Sequence, residues 1–121
     1  MVAKEENRSR KIIEFDDGRL WFQKKSGSIV LGLTEQGVEE LDGIESVSLP
    51  NDGDDFDKED VVVEIEGAEG TISLFTPAAG FVTEVNTAVE DDTALLQEDP
   101  LGEGWLVRIE IQDETDLKEF E

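Results

Sequence analysis

Val61-Val62-Val63-Glu64-Ile65-Glu66 and Thr71-Ile72-Ser73-Leu74-Phe75-Thr76 are two short runs joined by Gly67-Ala68-Glu69-Gly70. The first run is rich in β-branched residues, which fit a pleated surface. The second alternates apolar and polar side chains with a period of two, the mark of a half-buried strand. A connection this short, bounded by glycines, leaves room for a hairpin tip. Residues 61–76 are therefore predicted to form an antiparallel pair with Glu69 in its tip.

The same grammar extends along the chain in both directions. Ile12-Ile13-Glu14-Phe15 leads into a turn at Asp16-Asp17-Gly18. Leu20-Trp21-Phe22 and Ser28-Ile29-Val30-Leu31-Gly32-Leu33 read as a second hairpin split by Lys24-Lys25-Ser26-Gly27. Thr34 is placed to cap a short helix with its hydroxyl. Leu33 and Val38 fall at the positions of a hydrophobic staple, and Asp42-Gly43 closes the helix. Val47 and Leu49 alternate with serines, Pro50 ends that run, and residues 51–60 read as a charged loop. Pro77-Ala78-Ala79-Gly80 is a turn before the strand Phe81-Val82-Thr83-Glu84-Val85, and residues 86–97 read as one or two helical turns. Trp105, Val107, Ile109 and Ile111 alternate strictly and predict a strand. Asp113 can cap a last short helix with Leu117 and Phe120 turned inward. Many short strands with regular turn signals indicate a mainly β sandwich or partly open barrel.

Composition narrows the function classes. The chain has 121 residues, the size of one domain. Its 32 acidic and 10 basic residues give a formal charge of −22. Such a surface favours solubility and repels the phosphates of nucleic acid and of anionic membranes. It fits basic partner surfaces or a salty cytoplasm. With no cysteine and no histidine, disulfides, zinc sites built on those ligands and Ser-His-Asp or Cys-His catalysis are excluded. No apolar run approaches the roughly 20 residues of a membrane span, and Met1-Val2-Ala3-Lys4-Glu5-Glu6 lacks the apolar core of a signal peptide. Residues 1–10 are expected to be a flexible, solvated tail rather than a basic arm for a partner, although Lys4, Arg8, Arg10 and Lys11 fall within the first eleven positions. A single domain over 11–121 and a cytoplasmic location follow as expectations.

Four segments, in order and spacing, resemble the H protein of the glycine cleavage system. They are Leu31-Gly32-Leu33-Thr34 with the helix ending Glu40-Leu41; Val47-Ser48-Leu49-Pro50 with Gly53-Asp54; Val63-Glu64-Ile65-Glu66 through Phe75-Thr76-Pro77, Gly80 and Glu84-Val85-Asn86; and Glu98-Asp99-Pro100-Leu101-Gly102-Glu103-Gly104-Trp105-Leu106. The last is similar to a nearly identical Glu-Asp-Pro-Tyr-Gly-Glu-Gly-Trp-Leu run in that family. The resemblance covers about residues 11–121. It implies a lipoyl-domain-like barrel-sandwich with an exposed attachment hairpin. In the family, a lipoyl-lysine on that hairpin carries an aminomethyl group among the glycine-cleavage enzymes.

The chain departs from the family at the residues that matter most. Counting back from Pro77 or forward from Pro50 puts the attachment position at Glu69. A carboxylate cannot form the amide that joins lipoate to a lysine. The flanks Gly67, Ala68, Gly70 and Thr71 also differ from the family pattern, while Glu66 is retained. The family's His-Glu-Trp stands here as Arg19-Leu20-Trp21. None of the lysines (4, 11, 24, 25, 58, 118) lies in the hairpin.

The expectation is a non-catalytic, non-lipoylated binding or regulatory module with no cofactor and no metal. Its partners would be proteins, among them glycine-cleavage or lipoylation enzymes. A carrier modified in an unrecognised way and a decoy for lipoylation enzymes remain the alternatives. Glu69 itself reads either as a solvated turn residue or as an acidic knob for a basic pocket; the first is preferred because an exposed carboxylate contributes little by itself. The acids between Asp52 and Asp60 match no EF-hand register, since a start at Asp52 puts Phe56 at a ligand position. Trp21 and Trp105 are read as packing residues rather than a stacking platform.

Overall fold

A computed structural model describes residues 12–120; the expected tail at 1–10 lies outside them. Nine strands form two antiparallel sheets. The larger sheet contains β1 (Ile12–Phe15), β2 (Leu20–Lys25), β3 (Ser28–Leu33), β5 (Asp55–Phe56), β8 (Gly80–Val85) and β9 (Val107–Ile111), in the order β1-β2-β3-β9-β8-β5. The smaller sheet is β4 (Ile44–Ser48), β6 (Val61–Gly67) and β7 (Gly70–Phe75), in the order β4-β6-β7. Three short helices, α1 (Glu35–Leu41), α2 (Ala88–Asp91) and α3 (Ala94–Glu98), and a 3-10 turn at Glu114–Phe120 make up the remaining elements of the described residues. This is the mainly β barrel-sandwich that the sequence implied.

The core lies between the sheets. Leu20, Phe22, Ile29, Leu31 and Ile109 from one layer meet Val63, Ile65 and Leu74 from the other. Burial alternates along β7, as its pattern requires: Ile72 and Leu74 are inside, Thr71 and Ser73 outside. β6 breaks the alternation, because the ladder slips between Val61 and Val63. That bulge turns both Val62 and Val63 inward and leaves Val61 exposed. Phe15 packs edge-to-face with Phe22, Phe75 and Phe120, with centroids 5.3–5.8 Å apart. These rings close the sandwich beside Phe75, at the β7 end farthest from the hairpin tip.

Thr34 caps α1 as expected: its Oγ1 accepts from the Gly37 amide at 3.1 Å and donates to the Gly18 carbonyl. Asp42 takes the left-handed conformation that ends the helix. Four boundaries differ from the sequence reading. The 61–76 hairpin turns on two residues, Ala68 and Glu69, because Gly67 and Gly70 pair directly. The 20–33 hairpin also turns on two, Ser26 and Gly27, with Lys24 and Lys25 still in β2. The charged loop at 51–60 contains β5, which pairs with β8. Trp105 lies before β9 rather than in it: Asn86 Nδ2 holds its carbonyl at 2.7 Å, and its ring turns to the outer face instead of joining Val107 and Ile109 inside.

Candidate functional site: the 66–71 hairpin and its surroundings

The hairpin tip is docked on the C-terminal end of α1. The Glu69 amide donates to the Leu41 carbonyl at 3.0 Å, and the Ala68 amide donates to the Gly43 carbonyl at 3.3 Å. Helix ends leave carbonyls without partners in the helix, and here the tip supplies donors to that end. Gly67 makes the approach feasible. A Cβ on it would collide with the Gly43 carbonyl oxygen and stand 2.6 Å from Leu41 Cβ and 2.7 Å from Leu41 O. Across the ladder, Gly70 takes a φ of +148°, and nothing crowds its open side.

The side chains on this frame point to solvent. Glu66 is exposed and accepts from Ser46 Oγ at 3.1 Å across to β4. Ala68, Glu69, Gly70 and Thr71 are exposed. The structure therefore brings Glu66, Gly67, Ala68, Glu69 and Gly70 together as a fixed backbone presenting one carboxylate at the apex. Glu69 also stands by the negative end of the α1 dipole, where an ammonium would be favoured over a carboxylate.

A lipoyl group requires an amine at this apex, and the residues do not fit one. Among the described lysines, Lys58 precedes β6, a seven-residue strand that spans about 20 Å and ends at the tip. Lys24 and Lys25 sit at the far end of β2, and Lys118 belongs to the 3-10 turn. Among the described residues, no group of three Asp or Glu is arranged to hold a metal ion.

A second feature was missed by the sequence reading. The Asp99–Trp105 segment is a strap folded around Asp99, whose carbonyl accepts from the Gly102 and Gly104 amides at 3.1 and 2.8 Å. Its carboxylate accepts from the Glu103 amide at 3.0 Å. Trp21 Nε1 donates to the Pro100 carbonyl at 3.0 Å and ties the strap to β2. Between strap and sheet lies a cleft of about 370 Å³, lined by Trp21, Trp105, Val30, Lys25 and Arg108 among others. The available signal was the period-two set Trp21, Gln23, Lys25, which faces away from Leu20 and Phe22.

Two antiparallel sheets around one core, with a tight hairpin docked on a helix end, define a barrel-sandwich of the lipoyl-carrier type. The comparisons with known proteins name the family. The glycine cleavage H-protein family profile matches residues 13–121. A glycine cleavage system H protein of Gloeobacter violaceus is 33% identical over 104 residues, covering 86% of this chain and 81% of that one. A probable glycine cleavage system H protein of Aeropyrum pernix is 30% identical over 104 residues, covering 86% and 73%. The crystal structure of a glycine cleavage system H protein from Mycobacterium marinum superposes with a TM-score of 0.77 at 29% identity, covering 85% of each chain. The chain belongs to the glycine cleavage H-protein family.

Proposed function

We propose that this chain is an H-protein-like module that is not lipoylated and acts as a binding or regulatory protein, docking through its 66–71 hairpin to proteins that handle lipoyl carriers. One observation carries this reading: the tip is held firmly, by two backbone hydrogen bonds to the Leu41 and Gly43 carbonyls at the end of α1, yet it presents the carboxylate of Glu69. An intact frame with the wrong functional group supports recognition without cargo. The module has no catalytic role of its own and needs no cofactor. Its acidic surface would meet partners with basic docking faces. We place it in the cytoplasm with those partners.

The retained frame also favours a second reading, a decoy that occupies a lipoyl ligase or amidotransferase without being modified. It would slow lipoylation of a true carrier, and truncating the hairpin would relieve that inhibition.

The test is intact mass after incubation with lipoate ligase, ATP and lipoate, with Glu69→Lys as the comparison. The expected outcome is an unchanged wild type and a variant that gains one lipoyl group. A lipoyl adduct on the wild type would overturn the reading and return the chain to the working carriers.

A further inference from the structure

The cleft under the 99–105 strap has the composition of a small-molecule site, and nothing about the hairpin explains it. Its volume of about 370 Å³ falls in the range of about 300–1,000 Å³ typical of ligand pockets. Trp105 and Val30 supply apolar walls over a floor closed by Trp21, which is only 1% exposed, and Leu101 stands exposed at the lip. The chain carries 32 acids, yet two of its few cations converge here.

Arg108 is held in place. Its Nε donates to Ser28 Oγ at 3.0 Å, and one terminal nitrogen meets Glu84 at 3.3 Å. The bulge between Val82 and Glu84 produces this contact. In an unbroken ladder Glu84 would oppose Val107 and face the core; the slip places it opposite Arg108, while Val85 returns inward opposite Val107. The other terminal nitrogen of the guanidinium remains available as a donor.

The Lys25 ammonium has no hydrogen-bond or ion-pair partner among the described residues, and neither does the indole N–H of Trp105. The strap is already tied down by Trp21 and Asp99, so little needs to move for a ligand to enter. Free donors around apolar walls, with a net positive charge at the mouth, select an anion that carries an apolar body. Distant acids of the surface weaken this preference little at about 0.15 M ionic strength, where the screening length is about 8 Å.

We infer that the strap cleft binds a small amphipathic carboxylate, its apolar part lying against Trp21, Trp105 and Val30 and its carboxylate taken by Lys25 and Arg108. This site is separate from the hairpin and stands whether or not the proposed loss of lipoylation holds.

The chain has two tryptophans, so a nitrogen–proton correlation spectrum gives two indole signals and reads the cleft directly. The probe is 4-phenylbutyrate, with its neutral amide and 4-phenylbutylamine as controls. The Trp105 signal should shift saturably with a midpoint on the order of 1 mM, as expected for a ligand of this size. The Trp21 signal, fixed by Pro100, should shift less. Lys25→Met should raise the midpoint about tenfold, the worth of one charge-assisted hydrogen bond. Lys24→Met, on the opposite face of β2, should leave it unchanged while controlling for loss of charge. The inference is overturned if Trp105 shows no saturable shift with the carboxylate, if the amide or amine binds as well, or if Lys25→Met with an otherwise native spectrum binds like wild type.

Discussion

The β6–β7 and β2–β3 hairpins share one turn length and differ in nearly everything else. Each turns on two residues, Ala68-Glu69 in the first and Ser26-Gly27 in the second. The first leaves its own sheet and docks on α1 through two amides and the close approach of Gly67 to Leu41 and Gly43. The second stays within its layer, where the Gly27 carbonyl accepts from Ile111 of β9. The first carries a carboxylate at its apex, and the second has Lys25 beside its turn. Presentation therefore depends on what the turn leans against, and chemistry depends on which side chain it carries. The two can change independently.

The largest expected effect breaks the docking. Gly67→Ala places a Cβ against backbone and a Cβ that cannot swing away, so the tip or α1 must shift at a cost of roughly 2–4 kcal/mol. Gly27→Ala is the matched change in the other hairpin. Gly27 has φ +74° with nothing within 4 Å of an added Cβ, so only the backbone preference is lost, about 1 kcal/mol. Urea unfolding of both variants measures the difference. Equal costs would mean that the α1 contact does not hold the 67–70 tip.

Glu69→Lys probes the apex without touching the frame. Its side chain is exposed, so stability should stay within about 0.5 kcal/mol of wild type. Any change should be in the favourable direction, because a cation replaces an anion near the helix C-terminus and the net charge moves toward zero. The same variant in the ligase experiment then separates a hairpin that is correctly presented from one that is not. A destabilised Glu69→Lys, by the same urea measurement, would show that the carboxylate has a structural role in the fold.

How much of this was legible in the sequence follows the same division. Elements with a strong local signal read correctly: the Thr34 cap, the alternation of Ile72 and Leu74, the helix stop at Asp42-Gly43. Register did not. A glycine-bounded stretch of four residues cannot show whether two or four of them turn, since Gly67 and Gly70 are as able to pair as to loop. The slips at Val61/Val63 and Val82/Glu84 leave no periodic trace, yet they decide which way Val62 and Glu84 face. Trp105 looked like the start of a strand because it keeps step with Val107; its capture by Asn86 and the Asp99 strap is a long-range contact that no local pattern encodes. The hairpin as a candidate site was visible because its chemistry lies in consecutive residues. The strap cleft was not, because its walls come from β2, β3, β9 and a loop about 80 positions from Trp21.

The smallest expected effect lies behind the second hairpin, where Lys24 of β2 approaches Glu114 at 3.9 Å. Both side chains are well exposed, so that pair contributes little. The organisation of the 3-10 turn comes instead from Asp113, whose Oδ1 accepts from the Thr115 hydroxyl at 2.6 Å and the Thr115 amide at 3.0 Å. The hydroxyl first, then the amide, hold this carboxyl below its ordinary value of 3.8. A carboxyl with a lowered pKa in the folded state adds stability that is complete above 3.8 and is lost as pH falls through the folded value. Thr115→Val removes the larger of the two causes and keeps the amide. The Asp113 carboxyl-carbon titration should move back toward 3.8. The stability gap between wild type and variant, present at neutral pH, should close in acid below the folded value. A gap that persists there would assign the effect to packing of the valine rather than to the carboxylate. The second hairpin would then be braced from behind by shape and not by charge, a sharper contrast with the first, whose brace is a pair of backbone hydrogen bonds.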